Sequence, residues 1–214
     1  MPAAQPSTGK RDGRARAPRD PDATRQALVA AALKLFEKDG FHATSVQKIV
    51  DTAKLTKGAF YYHFETKEDV LREIHDQFMD FQLRRIREVL ADGGAPERVM
   101  TEVLVEPIGL YRAEISVFQQ ERRFLSSTTF ASIERKRDEF EALVTQVVER
   151  GIENGAFKPV ATARVLAFAV IGVAAWAHTW LDPRGEMTPR QIGDAFGEIV
   201  VAGLRTGSLA ENRA

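Results

Sequence analysis

Residues 44–69 read TSVQKIVDTAKLTKGAFYYHFETKED, and three helix starts are written into them. Thr44 and Gln47 form a T-x-x-Q pattern, a capping box that would satisfy two orphan N–H groups reciprocally. Val46, Ile49, Val50 and Ala53 then fall on one apolar face of a short helix, and Lys54-Leu55 turns the chain. Thr56 can cap a third helix, Lys57–Phe64, in which Phe60 and Phe64 lie four apart and share a face backed by Leu55. Lys57 and Tyr61 share a different face, with Tyr62 and His63 alongside. Thr66 caps a fourth helix whose first turn carries Glu68 and Asp69, where negative charge suits the helix dipole. Two short helices joined by a tight turn, the second pinned by aromatics and showing polar tips, is a helix-turn-helix pattern.

Working outward, helical periodicity continues and strand signals are nearly absent, so an all-α fold is expected. Asp20 can cap a first helix opened by Pro21, in which Leu28, Ala31, Ala32, Leu35 and Phe36 make one face and Asp39-Gly40 the stop. The fourth helix is expected to run to about Leu90, before Asp92-Gly93-Gly94. Further helices are expected near Pro96–Arg112, Ala113–Leu125, Phe130–Asn154, Thr162–Leu181 and Pro189–Leu204, the last opened by a Thr188/Gln191 capping box with Pro189 at its first position. The expected division is a flexible basic arm over 1–19, a three-helix DNA-binding head over 20–66, and an effector-binding and dimerisation domain over 67–210.

Composition narrows the function classes. The 44% hydrophobic content supports a real core, and the absence of cysteine excludes disulfides, thiolate metal sites and cysteine nucleophiles. The net charge is zero, but its distribution is uneven: residues 1–70 carry 12 Lys/Arg against 9 Asp/Glu, and residues 71–214 carry 18 against 21. The basic excess is sharpest at Lys10, Arg11, Arg14, Arg16 and Arg19, which reads either as a solvated leader or as a phosphate-binding arm. The N-terminus has no apolar run of the secretory kind, so a cytoplasmic protein is expected. Val165–Leu181 lacks formal charge but is at the short limit for a membrane span; a fully buried helix is the expectation. The four histidines are scattered, and no P-loop, G-x-S-x-G, H-E-x-x-H or G-x-G-x-x-G appears, so no enzyme, cofactor or metal site is expected.

Phe41-His42-Ala43-Thr44-Ser45, then Ile49-Val50, then Thr56 through Glu68 (TKGAFYYHFETKE) resembles the signature of the TetR family of regulators over about residues 24–71. The segment Gly172-x-x-x-Trp176-x-x-x-Trp180-Leu-Asp-Pro183-x-Gly185 is similar to the end of TetR-type sensors that respond to acyl-CoA or steroid-CoA thioesters. The resemblance implies a homodimer that binds a double-stranded DNA operator and a small-molecule effector, most often as a repressor.

The residue reading agrees with a DNA-binding role. The start of a recognition helix meets base edges, which puts Thr56, Lys57, Gly58 and Ala59 deepest in the major groove: Lys57 to guanine, Gly58 for close approach, Ala59 to a thymine methyl. Tyr61, Tyr62 and His63 reach flanking phosphates or sugars, and Thr44, Ser45 and Lys67 hold phosphate at helix starts. The alternatives are partial core packing for Tyr62 and a structural imidazole for His63. In the remainder, Val165, Phe168, Ala169, Ile171, Gly172 and Ala175 on one helix and Ile192, Phe196, Ile199, Val200 and Leu204 on the next are the expected dimer helices. Tyr111, Phe118, Arg122, Arg123, Phe124, Phe140, Trp176 and Trp180 are the candidate effector pocket, with Arg135-Lys136-Arg137 near in sequence. The bland reading of these charges is a solvated face balanced by Glu121, Glu134 and Asp138. The effector is expected to be a small apolar molecule, with an acyl-CoA thioester as one candidate and a neutral drug-like compound as the other. A ligand-binding protein without DNA function is the remaining alternative.

Overall fold

The computed structural model describes residues 20–182 and 184–207, without the side chains of 103–107 and 109. The basic arm at 1–19 and the end of the expected sensor domain, 208–210, lie outside the described residues, as does Pro183 of the CoA-sensor motif. Nine α-helices and no strands make up the described part: α1 Pro21–Asp39, α2 Val46–Ala53, α3 Lys57–His63, α4 Lys67–Ala91, α5 Pro96–Leu110, α6 Arg112–Glu121, α7 Ser127–Glu153, α8 Ala163–Trp176 and α9 Pro189–Thr206. Short 3-10 turns follow α6 (Arg122–Phe124) and α8 (Ala177–Thr179).

The starts obey the expected chemistry, with one shift. The Asp20 carboxylate accepts from Asp22 N–H, the Thr66/Asp69 pair forms a capping box, and so does Thr188/Gln191. At α2 the expected Thr44/Gln47 box is absent. Ser45 is the cap, accepting from Lys48 N–H at 3.2 Å, while Gln47 donates to Asp51 at 2.8 Å. Thr44 is buried and donates to the Gly40 carbonyl at 2.8 Å. Either of two adjacent hydroxyls can cap; burial of Thr44 under α1 decides between them.

Two main cores share α4. Leu28, Ala32 and Phe36 of α1, Ile49 and Val50 of α2, and Phe60 and Phe64 at α3 close over Val70, Leu71 and Ile74 of α4, with Val117 of α6 joining them. Further along α4, Met79, Leu83 and Ile86 pack with Met100, Val144, Val147, Val148, Phe157, Ala167 and Val170 from α5, α7 and α8 and the loop between them. A helix of 25 residues is about 37 Å long, enough to serve both. α9 packs chiefly along α5: Gly197 lies against Thr101, and the Lys158 N–H donates to the Leu204 carbonyl at 2.7 Å.

The apolar run 165–181 is not the fully buried helix expected. α8 stops at Trp176, and Val165, Phe168, Val173 and Trp176 stay exposed on one side while Leu166, Ala167, Val170 and Ala174 are buried on the other. Among the described residues no helix is long and apolar enough to cross a membrane.

Candidate nucleic-acid interface and effector cavity

α3 is held from beneath. Phe60 and Phe64 are buried with ring centroids 5.8 Å apart, and Arg25 of α1 spans from the Phe64 ring to Glu73 of α4. Its cap, the Thr56 hydroxyl, accepts from Ala59 N–H at 3.1 Å. Because the aromatics claim the inner face, the other face is open: Thr56, Lys57 and Gly58 are exposed, Ala59 and His63 half-buried, and Tyr61 and Tyr62 exposed. Tyr62, at 77% exposure, takes no part in core packing. A Cβ built on Gly58 meets only the Thr56 hydroxyl, at an ordinary 3.7 Å, so nothing inside the protein requires glycine there.

The α1–α2 turn, which sets the start of α2, is gripped from two sides. Lys67 donates its ammonium to the carbonyls of Phe41 and Thr44 and lies over the Phe41 ring at 4.2 Å. Burial pushes the Lys67 ammonium below its usual range, against the pull of the Glu121 carboxylate. From the other side the buried Glu121 at the end of α6 accepts from Phe41 N–H at 3.0 Å. Thr44 and Lys67 are thus engaged within the head, whereas Ser45 is exposed at the α2 start. Glu121, read in the sequence as a surface counter-charge, is a strut between the two halves of the chain. Nothing in its local pattern distinguishes it, since its partner is 80 residues away.

A cavity of about 350 Å³ lies between α4, α6, α7 and α8. Of the residues expected there, Phe118, Arg122 and Phe140 line it. The rest are elsewhere. Arg123 lies over the Phe124 ring, and Phe124 packs on Phe41 and His42 in the head. Tyr111 packs on Phe78 and Phe81. Trp176 is exposed, and Trp180 rests against Phe196. For the pair after α6 the cause is helix periodicity: Arg122, four residues after Phe118, shares its face, whereas Arg123 and Phe124 fall off it.

What the sequence reading missed comes from α4 and α7. His75, Met79 and Gln82, at i, i+4 and i+7, form one stripe along the cavity wall. From the 135–137 cation run, Arg137 reaches the cavity, while Lys136 turns to Asp76 and Asp80 at 3.0 and 2.7 Å. Burial lowers the Arg137 pKa, and Arg122 lowers it further, with Asp138 and Glu134 opposing. Neither guanidinium has a carboxylate within ion-pair distance among the described residues, but Glu134, Asp138 and Glu141 line the same cavity, the last paired with Arg164, so its wall is mixed in charge. Among the described residues no group of three or more potential metal ligands is assembled.

Comparison with known proteins gives this geometry its context. The model for bacterial regulatory proteins of the tetR family matches residues 28–74, and that for the tetracyclin repressor-like C-terminal domain matches 98–204. The HTH-type transcriptional repressor KstR2 of Rhodococcus jostii is 31% identical over 186 residues, covering 84% of this chain and 90% of that protein. The KstR2 repressor of Mycolicibacterium smegmatis is 27% identical over 192 residues, covering 87% and 93%. The solved structure of the ketosteroid transcriptional regulator KstR2 of Mycobacterium tuberculosis superposes with a TM-score of 0.74 at 26% identity, covering 84% of this chain and 94% of that one. With a helix-turn-helix head and a helical C-terminal domain each matched in register, this chain belongs to the TetR family of bacterial regulatory proteins.

Proposed function

We propose that the protein is a cytoplasmic repressor that binds an operator as a homodimer and leaves it when a small, largely apolar effector with an anionic end enters the cavity. An acyl-CoA or related thioester is the favoured effector class. The observation that carries this reading is the pairing of a cavity lined by aromatics with two guanidinium groups, Arg122 and Arg137, that hold no direct ion pair among the described residues although Glu134, Asp138 and Glu141 share the wall, in a chain whose other end presents a pinned, exposed recognition helix. Such a cavity is within the size range of small-molecule sites, and the arginines suit a carboxylate or phosphate better than a neutral group. The relatives' names as repressors, and the neighbour's as a ketosteroid regulator, support regulation over catalysis and an apolar effector body.

In this reading Lys57, Gly58 and Ala59 meet base edges, and Ser45, Tyr61, Tyr62 and His63 meet the backbone. A second copy would cover the open faces of α8 and α9, where Val165, Phe168, Trp176 and Ile199 are exposed. Effector binding would shift the population toward a spacing of the two heads that no longer matches the half-sites, by no more than its difference in affinity for the two states. α4 is one route for that movement. α6 is a second, since it lines the cavity with Phe118 and touches the head with Val117 and Glu121.

The test is operator release by a panel of acyl-CoAs and their free acids, read by fluorescence anisotropy on the DNA upstream of the protein's own gene. Release by thioesters but not by matched acids is the expected result. Equal potency would mean that the CoA moiety is not read, and release by neither would defeat the effector assignment.

A further inference from the structure

We propose that the cavity selects an effector whose hydrocarbon body carries a carbonyl or hydroxyl oxygen, read by His75 and Gln82 on α4. This rests on the reading above for what enters the cavity, but it concerns a different part of that molecule from the anionic end.

The observations are local to α4. His75 is 2% exposed and lines the cavity, its ring 4.2 Å from that of Phe118, and its Nδ1 is enclosed with no hydrogen-bond partner among the described residues. Gln82 is 8% exposed and lines the same cavity two turns along. Between them Met79 offers an apolar surface. Polar groups are placed in such surroundings at a penalty unless something pairs with them. A cavity meant for a plain hydrocarbon would be lined here by leucine or phenylalanine.

The protonation state of His75 fixes what it can read. Burial, reinforced by Arg137 and Lys136, lowers its pKa to about 3, so the ring is neutral near neutral pH and has one N–H. No acceptor lies within reach of the enclosed Nδ1, so the proton belongs on Nε2, which becomes a donor. A donor beside two cationic side chains is matched by an oxygen acceptor, not by another donor. Gln82, about 10 Å along the helix axis from His75, can both donate and accept and so reads a second oxygen or a hydroxyl. An unoxidised chain or ring would leave both groups unpaired, and that is the basis of discrimination: sites built to hydrogen-bond a substrate reject the analogue that lacks the bonding atom.

The experiment uses the full-length protein and calorimetric titration with decanoate and its 3-, 5-, 7- and 9-oxo derivatives. These differ in one oxygen and share the anionic end. At least one oxo acid is expected to bind about tenfold more tightly than decanoate, the worth of one good hydrogen bond. His75→Phe should abolish that preference while retaining decanoate, and His75→Gln, which keeps a donor of similar reach, should restore part of it. Gln82→Leu serves as the second probe, and thermal melts establish that each variant folds. No preference in the wild type, a preference that survives both His75→Phe and Gln82→Leu, or no binding by any of the five acids overturns the proposal. Operator release by the CoA thioesters of the same five acids separates the two readings. Preferential binding of an oxo acid with no release by any thioester sinks the effector assignment alone, and release by the thioesters without oxo preference sinks this one alone.

Discussion

Gly58 separates folding from function at the scale of one residue. It sits in the first turn of α3 with a φ that needs no glycine, and a methyl added there meets only the Thr56 hydroxyl at 3.7 Å. Alanine is the better helix former, so Gly58→Ala should leave the melting temperature unchanged or raise stability by up to about 1 kcal/mol. If α3 lies in the major groove, the same methyl should weaken operator binding several-fold. Undiminished binding in a gel shift would remove Gly58 from the interface. His75 allows a second residue-scale prediction. Its pKa is lowered from 6.5 to about 3, so below about pH 6.5 the unfolded chain takes up a proton that the folded chain refuses. The stability associated with the neutral ring is therefore complete above about 6.5 and lost progressively as pH falls toward 3. His75→Gln does not titrate, so urea melts over that window should show a shallower loss than in the wild type. Parallel curves would contradict an enclosed neutral imidazole.

At the scale of elements, α6 and its 3-10 extension matter more than their length implies. Glu121 accepts from Phe41 N–H, Phe124 packs on Phe41 and His42, Arg112 pairs with Glu37 of α1, and beyond the turn Ser126 N–H donates to Glu68 at 2.7 Å. The same helix walls the cavity with Ile115, Phe118 and Gln119. Glu121→Ala strips the Phe41 N–H of its partner in a buried position, a loss of about 1–3 kcal/mol. Denaturant melts should register that loss. Operator affinity should fall with the preferred sequence unchanged, because the turn and not a base contact has been loosened. A shift in preferred sequence would place Glu121's influence in the recognition helix itself. The caps of α1, α3, α4 and α9 were legible in the sequence because capping is a local, short-range exchange of hydrogen bonds. The α2 cap was read one residue early because both Thr44 and Ser45 satisfy the local rule and only packing against α1 distinguishes them.

For the whole molecule, the open faces of α8 and α9 make a specific demand. Ile199 is 67% exposed and Val165 55%, values that suit a surface awaiting a partner better than one facing water. Val165→Glu with Ile199→Glu should leave the stability of the single chain nearly unchanged, since neither side chain is buried within it. Sedimentation should report monomers. Operator affinity should drop by about two orders of magnitude or more, as a second head tethered at high effective concentration is lost. A double variant that sediments as a dimer and keeps its operator would assign the interface to another face.

Periodicity, caps and the Phe60/Phe64 spacing determined by themselves that the described chain is helical, that α3 turns an aromatic face inward, and that Lys57, Gly58 and Tyr61 face out. These are consequences of 3.6-residue geometry acting over one or two turns. The exposure of Tyr62, by contrast, was decided by the structure. Only tertiary structure decided which side chains meet at the cavity. Arg137 and Arg122 come from helices that are adjacent in space, and the stripe His75–Met79–Gln82 carries mixed polarity that no amphipathic pattern marks as an inner wall. Arg123, Phe124 and Trp176 had the right composition for a pocket, but Arg123 and Phe124 fall off the face of Phe118 and Trp176 lies on the outward side of α8. Composition is a property of the chain, whereas convergence depends on how helices rotate about their axes when cores close, and that rotation is set by contacts between residues far apart in sequence.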